Sequence, residues 1–367
     1  MQNISRRTFL KSAGRATILG GFAATGLIGL KSLADEAAPA CAASGEERPM
    51  IWVWKFSADG SLEAITHDLA THGLAITLKT NDGTEWMTRF DRTSTAVTGP
   101  HQIERLARHF EDAGIPFHTW FVAQGREPIW EARMANDVLN AGARSIYIDL
   151  EPGEGSNYWQ GSSHDAMVFG EELRRLQPNA MITVAPDARP WQFGKVPIHE
   201  YISFSNRIAP QSYWETFNSP TNRRYLSERG YDISHGVTPE LIVEVARDTF
   251  AFSGLPIQPI GQGASTPDQW QRFINAAAGN GMNPVSLWRY GTADPYAFGV
   301  LRDMFPDAPP ALAAASVEEL QTPPSADAVA AVAPTEQQLA EASSDKSATS
   351  ASEMSQRASQ AQQSSCD

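Results

Sequence analysis

Short alternating runs of apolar and polar residues recur between residues 50 and 307, and segments with helical periodicity follow them. Side chains repeat every two residues on a strand and about every 3.6 residues on a helix, so this pattern predicts a repeated strand–loop–helix unit. The predicted strands cover residues 50–56, 74–80, 116–122, 145–151, 180–186, 207–214, 256–262 and 284–290.

The helices between these strands are indicated by apolar stripes and by signals at their ends. Thr266, followed by Pro267 and Gln269, predicts a capping box at the start of one helix. The helix after the fifth strand is expected to be broken, because Gly194 and Pro197 interrupt its pattern.

Strands that alternate with helices imply parallel pairing through right-handed crossovers. Eight such units in roughly 250 residues match the size of a (β/α)8 barrel. A doubly wound open sheet is the alternative, but residues 54–57, after the first strand, lack the glycine-rich fingerprint of nucleotide-binding sheets. We therefore predict one α/β domain, a (β/α)8 TIM barrel, at residues 50–307.

The N-terminus carries the twin-arginine export pattern Ser-Arg-Arg-Thr-Phe-Leu-Lys at residues 5–11. We interpret residues 1–40 as a signal peptide and processing region, cleaved after Ala34 or Ala40, and residues 41–49 as a linker. Cys41 directly after Ala-Pro-Ala leaves lipidation open. The expected partner in export is the twin-arginine translocase, and the expected location is periplasmic, extracellular or at the cell envelope.

Residues 308–367 are rich in Ala, Ser, Gln, Glu and Pro and contain no aromatic residue. Such a segment cannot bury enough apolar surface to offset its ordering entropy, so we predict a disordered, low-complexity tail.

Composition excludes several classes of function. The net charge of −13 without a basic stripe argues against nucleic-acid binding. The two cysteines, Cys41 and Cys366, lie outside the predicted barrel, and the eight histidines form no metal-binding pair. We predict no metal, no cofactor and a monomeric protein.

Asp149 and Glu151 end the fourth predicted strand, just before Pro152. Alternation places both on the face that Tyr147 shares, with Cβ atoms about 6–7 Å apart, a separation at which two carboxyl groups can flank one glycosidic bond. Barrel enzymes carry their catalytic groups at this end of the strands. The alternative is a structural Asp-x-Glu held by salt bridges.

The other strand ends and their loops add polar and aromatic side chains, and indole rings there can pack on the C–H faces of sugars. We expect Trp86, Trp159, Trp191 and Trp214 in these loops and interpret Trp52, Trp54 and Trp270 as core residues. The predicted substrate-binding residues are Lys79, Asp82, Trp120, Gln124, Trp159, Asp187, Gln211, Gln262, Trp288 and Arg289.

Residues 146–152 (Ile-Tyr-Ile-Asp-Leu-Glu-Pro), 210–214 and 285–289 resemble barrel glycoside hydrolases of the chitinase (family 18) and lysozyme (family 25) type. The resemblance implies that Glu151 is the general acid, that Asp149 supports a substrate N-acetyl group or the oxocarbenium ion, and that Tyr213 orients the substrate. Chitinases carry a further Asp where Tyr147 stands, and the lysozyme-type enzymes usually carry an Asp where Lys55 stands.

We therefore predict an exported glycoside hydrolase acting on a polysaccharide such as peptidoglycan or a chitin-like polymer. Hydrophobic neighbours are expected to raise the pKa of Glu151, and Asp149 is expected to stay ionised. Retention of anomeric configuration is expected, because both carboxyl groups approach from one wall; Asp187 or Asp82 could instead supply a distant base. The alternative from another class is a non-catalytic, cell-envelope glycan-binding barrel. Schiff-base chemistry at Lys55 or Lys79 is a weaker hypothesis, because a lysine near Asp149 is more simply its charge partner.

Overall fold

The computed structural model describes residues 48–152 and 158–304, so the predicted signal peptide, most of the linker and the predicted tail lie outside the described residues. Within those two ranges, eight parallel strands form one sheet: β1 (Met50–Val53), β2 (Ala75–Asp82), β3 (Phe117–Val122), β4 (Ser145–Leu150), β5 (Met181–Pro186), β6 (Arg207–Ile208), β7 (Ile260–Gln262) and β8 (Ser286–Trp288).

The sheet closes on itself. Its strand order is β6-β5-β4-β3-β2-β1-β8-β7, and bridges from Ile208 to Ile257 and from Gln211 to Ile260 join the two ends. This closure confirms the predicted (β/α)8 TIM barrel. A two-residue strand, Glu85–Trp86, pairs antiparallel with the end of β2.

Helices follow the strands and cover the outside of the barrel. They are α1 (Leu62–His72), α2 (Pro100–Asp112), α3 (Pro128–Asn140), α4 (Ser163–Leu176), α5 (Ile198–Phe204), α6 (Pro220–Glu228), α7 (Pro239–Phe250), α8 (Pro267–Gly279) and α9 (Tyr296–Arg302). Shorter pieces are the helical turn Phe56–Asp59 and the 3-10 turns Met87–Arg89, Pro190–Lys195, Ala251–Ser253 and Tyr290–Thr292. In the described part of the chain, no helix has the length and apolar character needed to cross a membrane.

Four strands are clearly shorter than predicted: β1 ends at Val53, β8 covers only Ser286–Trp288, and β6 and β7 are also short. Regular structure in β6 ends at Ile208 and β7 begins only at Ile260, because Pro210 and Pro259 have no N–H to donate to a neighbouring strand. The segment after β5 is broken as predicted, into a 3-10 turn and the short helix α5.

Helix ends follow the sequence closely. The predicted capping box at α8 is confirmed: Thr266 Oγ1 accepts the N–H of Gln269 at 3.3 Å, and the Gln269 side chain accepts the N–H of Thr266 at 3.3 Å. Helix α6 was not predicted, although Ser219 caps it by accepting the N–H of Asn222 at 3.3 Å and Pro220 follows in the first turn. That Ser-Pro pair was an available signal.

Aromatic side chains fill the barrel interior. The ring of Trp52 lies 5.3 Å from that of Trp120 and 5.6 Å from that of Tyr147, and Trp120 lies 5.1 Å from Trp288. Trp52 Nε1 donates to Ser286 Oγ at 3.0 Å, so its polar atom is satisfied inside the barrel. This layer confirms Trp52 as a core residue and closes the barrel beneath its mouth.

The alternation predicted for β4 is confirmed. Ile146, Ile148 and Leu150 belong to the apolar layer between sheet and helices, whereas Tyr147 belongs to the interior cluster. Asp149, two residues beyond Tyr147, therefore faces the interior, where it is 8% exposed.

A buried carboxylate fixes the loop after β3. Glu131, in the first turn of α3, is 1% exposed, and its two oxygens accept the N–H groups of Gln124 at 3.0 Å and Arg126 at 3.2 Å. Burial raises the pKa of Glu131, whereas its backbone hydrogen bonds lower it. The loop beside the barrel mouth thus depends on one side chain for several of its donors.

Glu131→Gln is expected to lower the free energy of unfolding by about 1–3 kcal/mol, since one acceptor oxygen becomes an NH2 group facing a buried N–H. Urea denaturation followed by circular dichroism measures the change. The control is Glu104→Gln on α2, whose exposed pair with Arg108 at 3.1 Å should be worth less than about 0.5 kcal/mol. Equal stability of the two variants would contradict this role of Glu131.

Candidate active site

A cavity of about 390 Å³ opens at the carboxyl ends of the strands, over the aromatic layer. Its lining comes from the ends of β1, β2, β3, β4 and β8 and from the segments that follow them. The lining residues are Trp54, Lys55, Lys79, Asp82, Phe90, Trp120, Val122, Asp149, Glu151, Tyr158, Trp288 and Arg289.

Gln211 links the two carboxyl groups. Its Nε2 donates to Asp149 Oδ1 at 2.9 Å and to Glu151 Oε1 at 2.7 Å, so both amide hydrogens are used. The backbone of Gln211 is itself fixed, because its N–H donates to the carbonyl of Pro186 at the end of β5, at 2.8 Å. Gln211, predicted as a substrate-binding residue, is therefore a partner of the acids and is absent from the cavity lining.

The barrel interior changes the acidity of both carboxyl groups. Burial raises the pKa of Asp149 well above its ordinary value, and the charge of Glu151 raises it further. Burial also raises the pKa of Glu151, as predicted, against the hydrogen bond from Gln211. Burial and the facing carboxyl group of Glu151 both oppose the expected ionisation of Asp149.

The charge of Lys79 affects the pKa of both acids. Its Nζ lies 2.6 Å from Asp82 Oδ1 and 4.7 Å from the ring centroid of Trp120. The charge of Lys79 lowers the pKa of Asp149 and of Glu151, against the larger effect of burial. The sequence predicted Lys79 or Lys55 as a charge partner of Asp149; the ion pair of Lys79 is with Asp82, and Lys79 acts on Asp149 only through its charge.

A bulge in β2 allows the salt bridge of Lys79. Simple alternation would send residues 79 and 82 to opposite faces of the sheet, but the pairing with β3 shifts register between Lys79 and Asn81. Asp82 consequently returns to the inner face and lines the cavity with Lys79.

Asp187 is held by an arginine. Arg189 Nε donates to Asp187 Oδ1 at 2.9 Å, and the Arg189 N–H donates to the same oxygen at 2.8 Å. Asp187 is not among the cavity-lining residues, although its charge raises the pKa of Glu151. To act as a distant base, Asp187 would first have to break its ion pair with Arg189.

The charges of the two acids raise the pKa of two tyrosines, only one of which lines the cavity. Burial, followed by the charges of Glu151 and Asp149, raises the pKa of Tyr213 well above its ordinary value, but Tyr213 packs on Phe217 outside the cavity lining. Tyr158 does line the cavity, and the charge of Glu151 raises its pKa. Sequence analysis missed Tyr158, since no periodic pattern marks the direction of a loop side chain.

The tryptophans divide between cavity and core. Trp120 and Trp288 line the cavity, and so does Trp54, which also packs against the buried core, as interpreted from the sequence. Trp270 is fully buried, as predicted. The tryptophans expected in the mouth that lie outside the cavity lining are Trp86, Trp159, Trp191 and Trp214.

Neighbouring helices explain two of these differences. Trp159 is 7% exposed and packs edge-on against Tyr201 of α5 at 5.5 Å. Trp214 is fully buried against Phe273 of α8 at 5.1 Å. The predicted contact of these two rings with a ligand is wrong, because each indole is used to pack the outer helices on the barrel.

The two predicted loop glutamines also lie away from the cavity lining. Gln262 Oε1 accepts the N–H of Glu215 at 2.8 Å, and its Nε2 donates to the carbonyl of Ala264 at 2.8 Å. The side chain of Gln124 packs against Gly83, where an added Cβ would lie 2.6 Å from its Oε1. Each of these two side chains therefore contacts and stabilises a loop.

Asp59 connects the ends of β1 and β8. It is 6% exposed and forms an ion pair with Arg289, and its Oδ2 accepts the N–H of Lys55 at 3.3 Å. The guanidinium carbon of Arg289 lies 5.1 Å from the ring centroid of Trp54. Asp59, which sequence analysis missed, therefore holds one wall of the cavity.

In residues 48–152 and 158–304, no group of three or more His, Cys, Asp or Glu is arranged to hold a metal ion.

No family model and no curated protein matches the chain. Among solved structures, active domain 2 of a chitinase from Pyrococcus furiosus is 12% identical, with 71% of this chain and 96% of that chain covered and a TM-score of 0.48. A family GH18 chitinase catalytic domain from the fern Peteris ryukyuensis is 12% identical, with 70% and 97% covered and a TM-score of 0.44.

A family 18 N-acetylglucosaminidase from Paenibacillus barengoltzii is 10% identical, with 70% of this chain and 99% of that chain covered and a TM-score of 0.47. Similarities at this level do not identify the chemistry of this chain. Its function has to be argued from its own cavity.

Asp149→Asn is expected to stabilise the protein increasingly as the pH rises. Unfolded Asp loses its proton near pH 3.9, whereas the native site retains it up to the raised pKa, so the wild-type free energy of unfolding falls with pH across that window. An amide has no such proton to lose.

Thermal unfolding of the variant and of wild type is measured at about pH 5 and about pH 8. Each kcal/mol of difference in the free energy of unfolding shifts the Tm by roughly 2–4 °C. The Tm of Asp149→Asn minus that of wild type should be larger at the higher pH. Asp268→Asn, at an exposed position in the first turn of α8, is the control, and its difference from wild type should change less between the two pH values. A constant difference for Asp149→Asn would contradict the raised pKa.

Proposed function

We propose that this protein is a glycoside hydrolase that cleaves a polysaccharide containing N-acetylated sugars, such as peptidoglycan or a chitin-like polymer. The observation that carries the proposal is the pair of Asp149 and Glu151, bound to one amide of Gln211 beside an aromatic-lined cavity. Two carboxyl groups at one site are the groups that glycosidic hydrolysis requires.

Glu151 is assigned as the general acid. It follows the last residue of β4, nearer the mouth than Asp149, and it lines the cavity. Its raised pKa keeps part of the carboxyl population protonated closer to neutral pH, which suits proton donation to a leaving glycosidic oxygen.

Asp149 is assigned to the reacting sugar. Its carboxyl group can accept a hydrogen bond from the N–H of a substrate acetamide, which would orient the acetamide toward the anomeric carbon. Its burial and its bond to Gln211 fix that orientation before substrate binds. Tyr213 lies outside the cavity lining and is therefore given no contact with the substrate.

The cavity walls suit a carbohydrate. Trp54, Trp120, Trp288 and Tyr158 offer ring surfaces, while Lys79 and Asp82 offer polar groups for hydroxyls. We further propose export through the twin-arginine translocase to the periplasm, the cell envelope or the medium, on the pattern at residues 5–11.

A second candidate is a glycan-binding barrel without turnover. Tyr147 stands where chitinases carry a further Asp, and its hydroxyl donates to Gln258 Oε1 at 3.0 Å inside the barrel. That position therefore supplies no third carboxyl group to the cavity. Binding could persist on the same aromatic walls without hydrolysis.

Glu151→Gln is expected to lower turnover by about 100- to 10,000-fold, because the amide keeps the shape but cannot donate an acid proton. Release of reducing ends from peptidoglycan, chitin-type and plain glucan polymers measures turnover, and retention on the same polymers measures binding. Glu104→Gln, remote on α2, is the control and should match wild type.

Unchanged turnover in Glu151→Gln would refute the assignment of Glu151. Retention of a polymer by wild type without any reducing ends would favour the non-catalytic candidate.

Hydrolysis is expected to retain anomeric configuration. Gln211 Nε2 lies 2.9 Å from Asp149 Oδ1 and 2.7 Å from Glu151 Oε1, so these two oxygens can be no farther apart than the sum of the two distances. That sum is less than the separation of about 6.5–9.5 Å between the carboxyl groups of inverting enzymes. Proton NMR of the first product, before mutarotation, gives the result. An inverted anomer would remove Asp149 from this role and point to Asp187 or Asp82.

A further inference from the structure

The cavity wall carries three cations, and two of them are neutralised by carboxylates. Lys79 pairs with Asp82 at 2.6 Å, and Arg289 pairs with the buried Asp59. Lys55 is the third, and within the described part of the chain no carboxylate pairs with its ammonium group. One wall of the cavity therefore holds an uncompensated positive charge.

Lys55 is held at the cavity by its surroundings. Its N–H donates to Asp59 Oδ2 at 3.3 Å, which fixes its backbone at the end of β1. Its Nζ lies 4.2 Å from the ring centroid of Trp54, and its side chain is only partly exposed. A cation over an indole ring is attracted to the π face, so the ammonium group is kept at the wall.

Arg289 lies on the same wall, with its guanidinium carbon 5.1 Å from the Trp54 ring, but its charge is balanced by Asp59. The carboxyl pair of Asp149 and Glu151 comes from β4 and the wall with Lys55 comes from β1. A ligand that fills the cavity therefore meets the acids and the ammonium group at different places.

We infer that the site takes a glycan that carries a carboxylate, and that Lys55 binds this carboxylate as the residue that determines specificity. The inference rests on the proposed glycosidase function and names its substrate class. A carboxylate at Lys55 forms a charge-assisted hydrogen bond in a partly desolvated cavity, whereas a neutral hexose leaves the ammonium group without a counter-charge. The carboxylate could belong to a uronic acid ring or to the lactyl ether of muramic acid.

Calorimetric titration of the full chain carrying Glu151→Gln tests the inference without hydrolysis of the ligand. One probe is an oligosaccharide of alternating N-acetylglucosamine and glucuronic acid, and the other is a peptide-free saccharide of N-acetylglucosamine and N-acetylmuramic acid. Each is compared with the same saccharide after reduction of its carboxyl group to an alcohol.

At least one carboxylate probe is expected to bind about tenfold or more tightly than its reduced form, and the ratio should shrink with added salt. Whether the first or the second probe shows this preference distinguishes the two sources of the carboxylate.

Adding Lys55→Met to the Glu151→Gln chain should abolish the preference for the carboxylate probe over its reduced form. The affinity for the reduced probe should stay within about twofold. Lys55→Arg should keep the preference. Lys195→Met, which removes an exposed lysine in the turn Pro190–Lys195, is the matched control and should also keep it.

Equal binding of carboxylate and reduced probes, or a preference that survives Lys55→Met, would overturn the inference. If wild type nevertheless released reducing ends from a neutral chitin-type polymer, the proposed function would stand and only the role of Lys55 would fall. If no saccharide were bound or cleaved, the proposed function and the inference would fall together.

Discussion

The site depends on the burial of two carboxyl groups at the end of one strand, with a single amide to satisfy both. Because the barrel interior holds little water, ionising both Asp149 and Glu151 would leave two like charges close together. Gln211 lowers this cost by giving one hydrogen to each group. Asp149 lies deeper in the barrel than Glu151, and burial is the largest cause of the raised pKa of each acid.

Ion pairs around the mouth limit what the remaining charges can do. Asp187 is held by Arg189, and Asp82 is held by Lys79, so neither carboxylate is free to act independently. Asp59 binds Arg289 and the backbone of Lys55, which joins β1 to β8. Such pairs fix geometry more than they stabilise the fold, because desolvation offsets much of their attraction.

Aromatic residues show how one residue type serves two layers of the barrel. Trp120 and Trp288 face inward from strands and line the cavity, whereas Trp159 and Trp214 turn outward and pack on helices. On a strand, the direction of a side chain follows from alternation, so Trp120 could be assigned from the sequence. In a loop no such rule applies, and packing decides the direction.

The sequence by itself determined the repeated strand–helix unit, the closed barrel and the shared face of Asp149 and Glu151, because each follows from local periodicity and chain length. Only the tertiary structure brought Gln211, 62 residues from Asp149, to the acids and placed Asp59 against Arg289 across the closure of the barrel. Burial and the charges of neighbours distant in sequence likewise raise the pKa of both acids. Local pattern carries no information about such contacts, since they form only when the sheet closes.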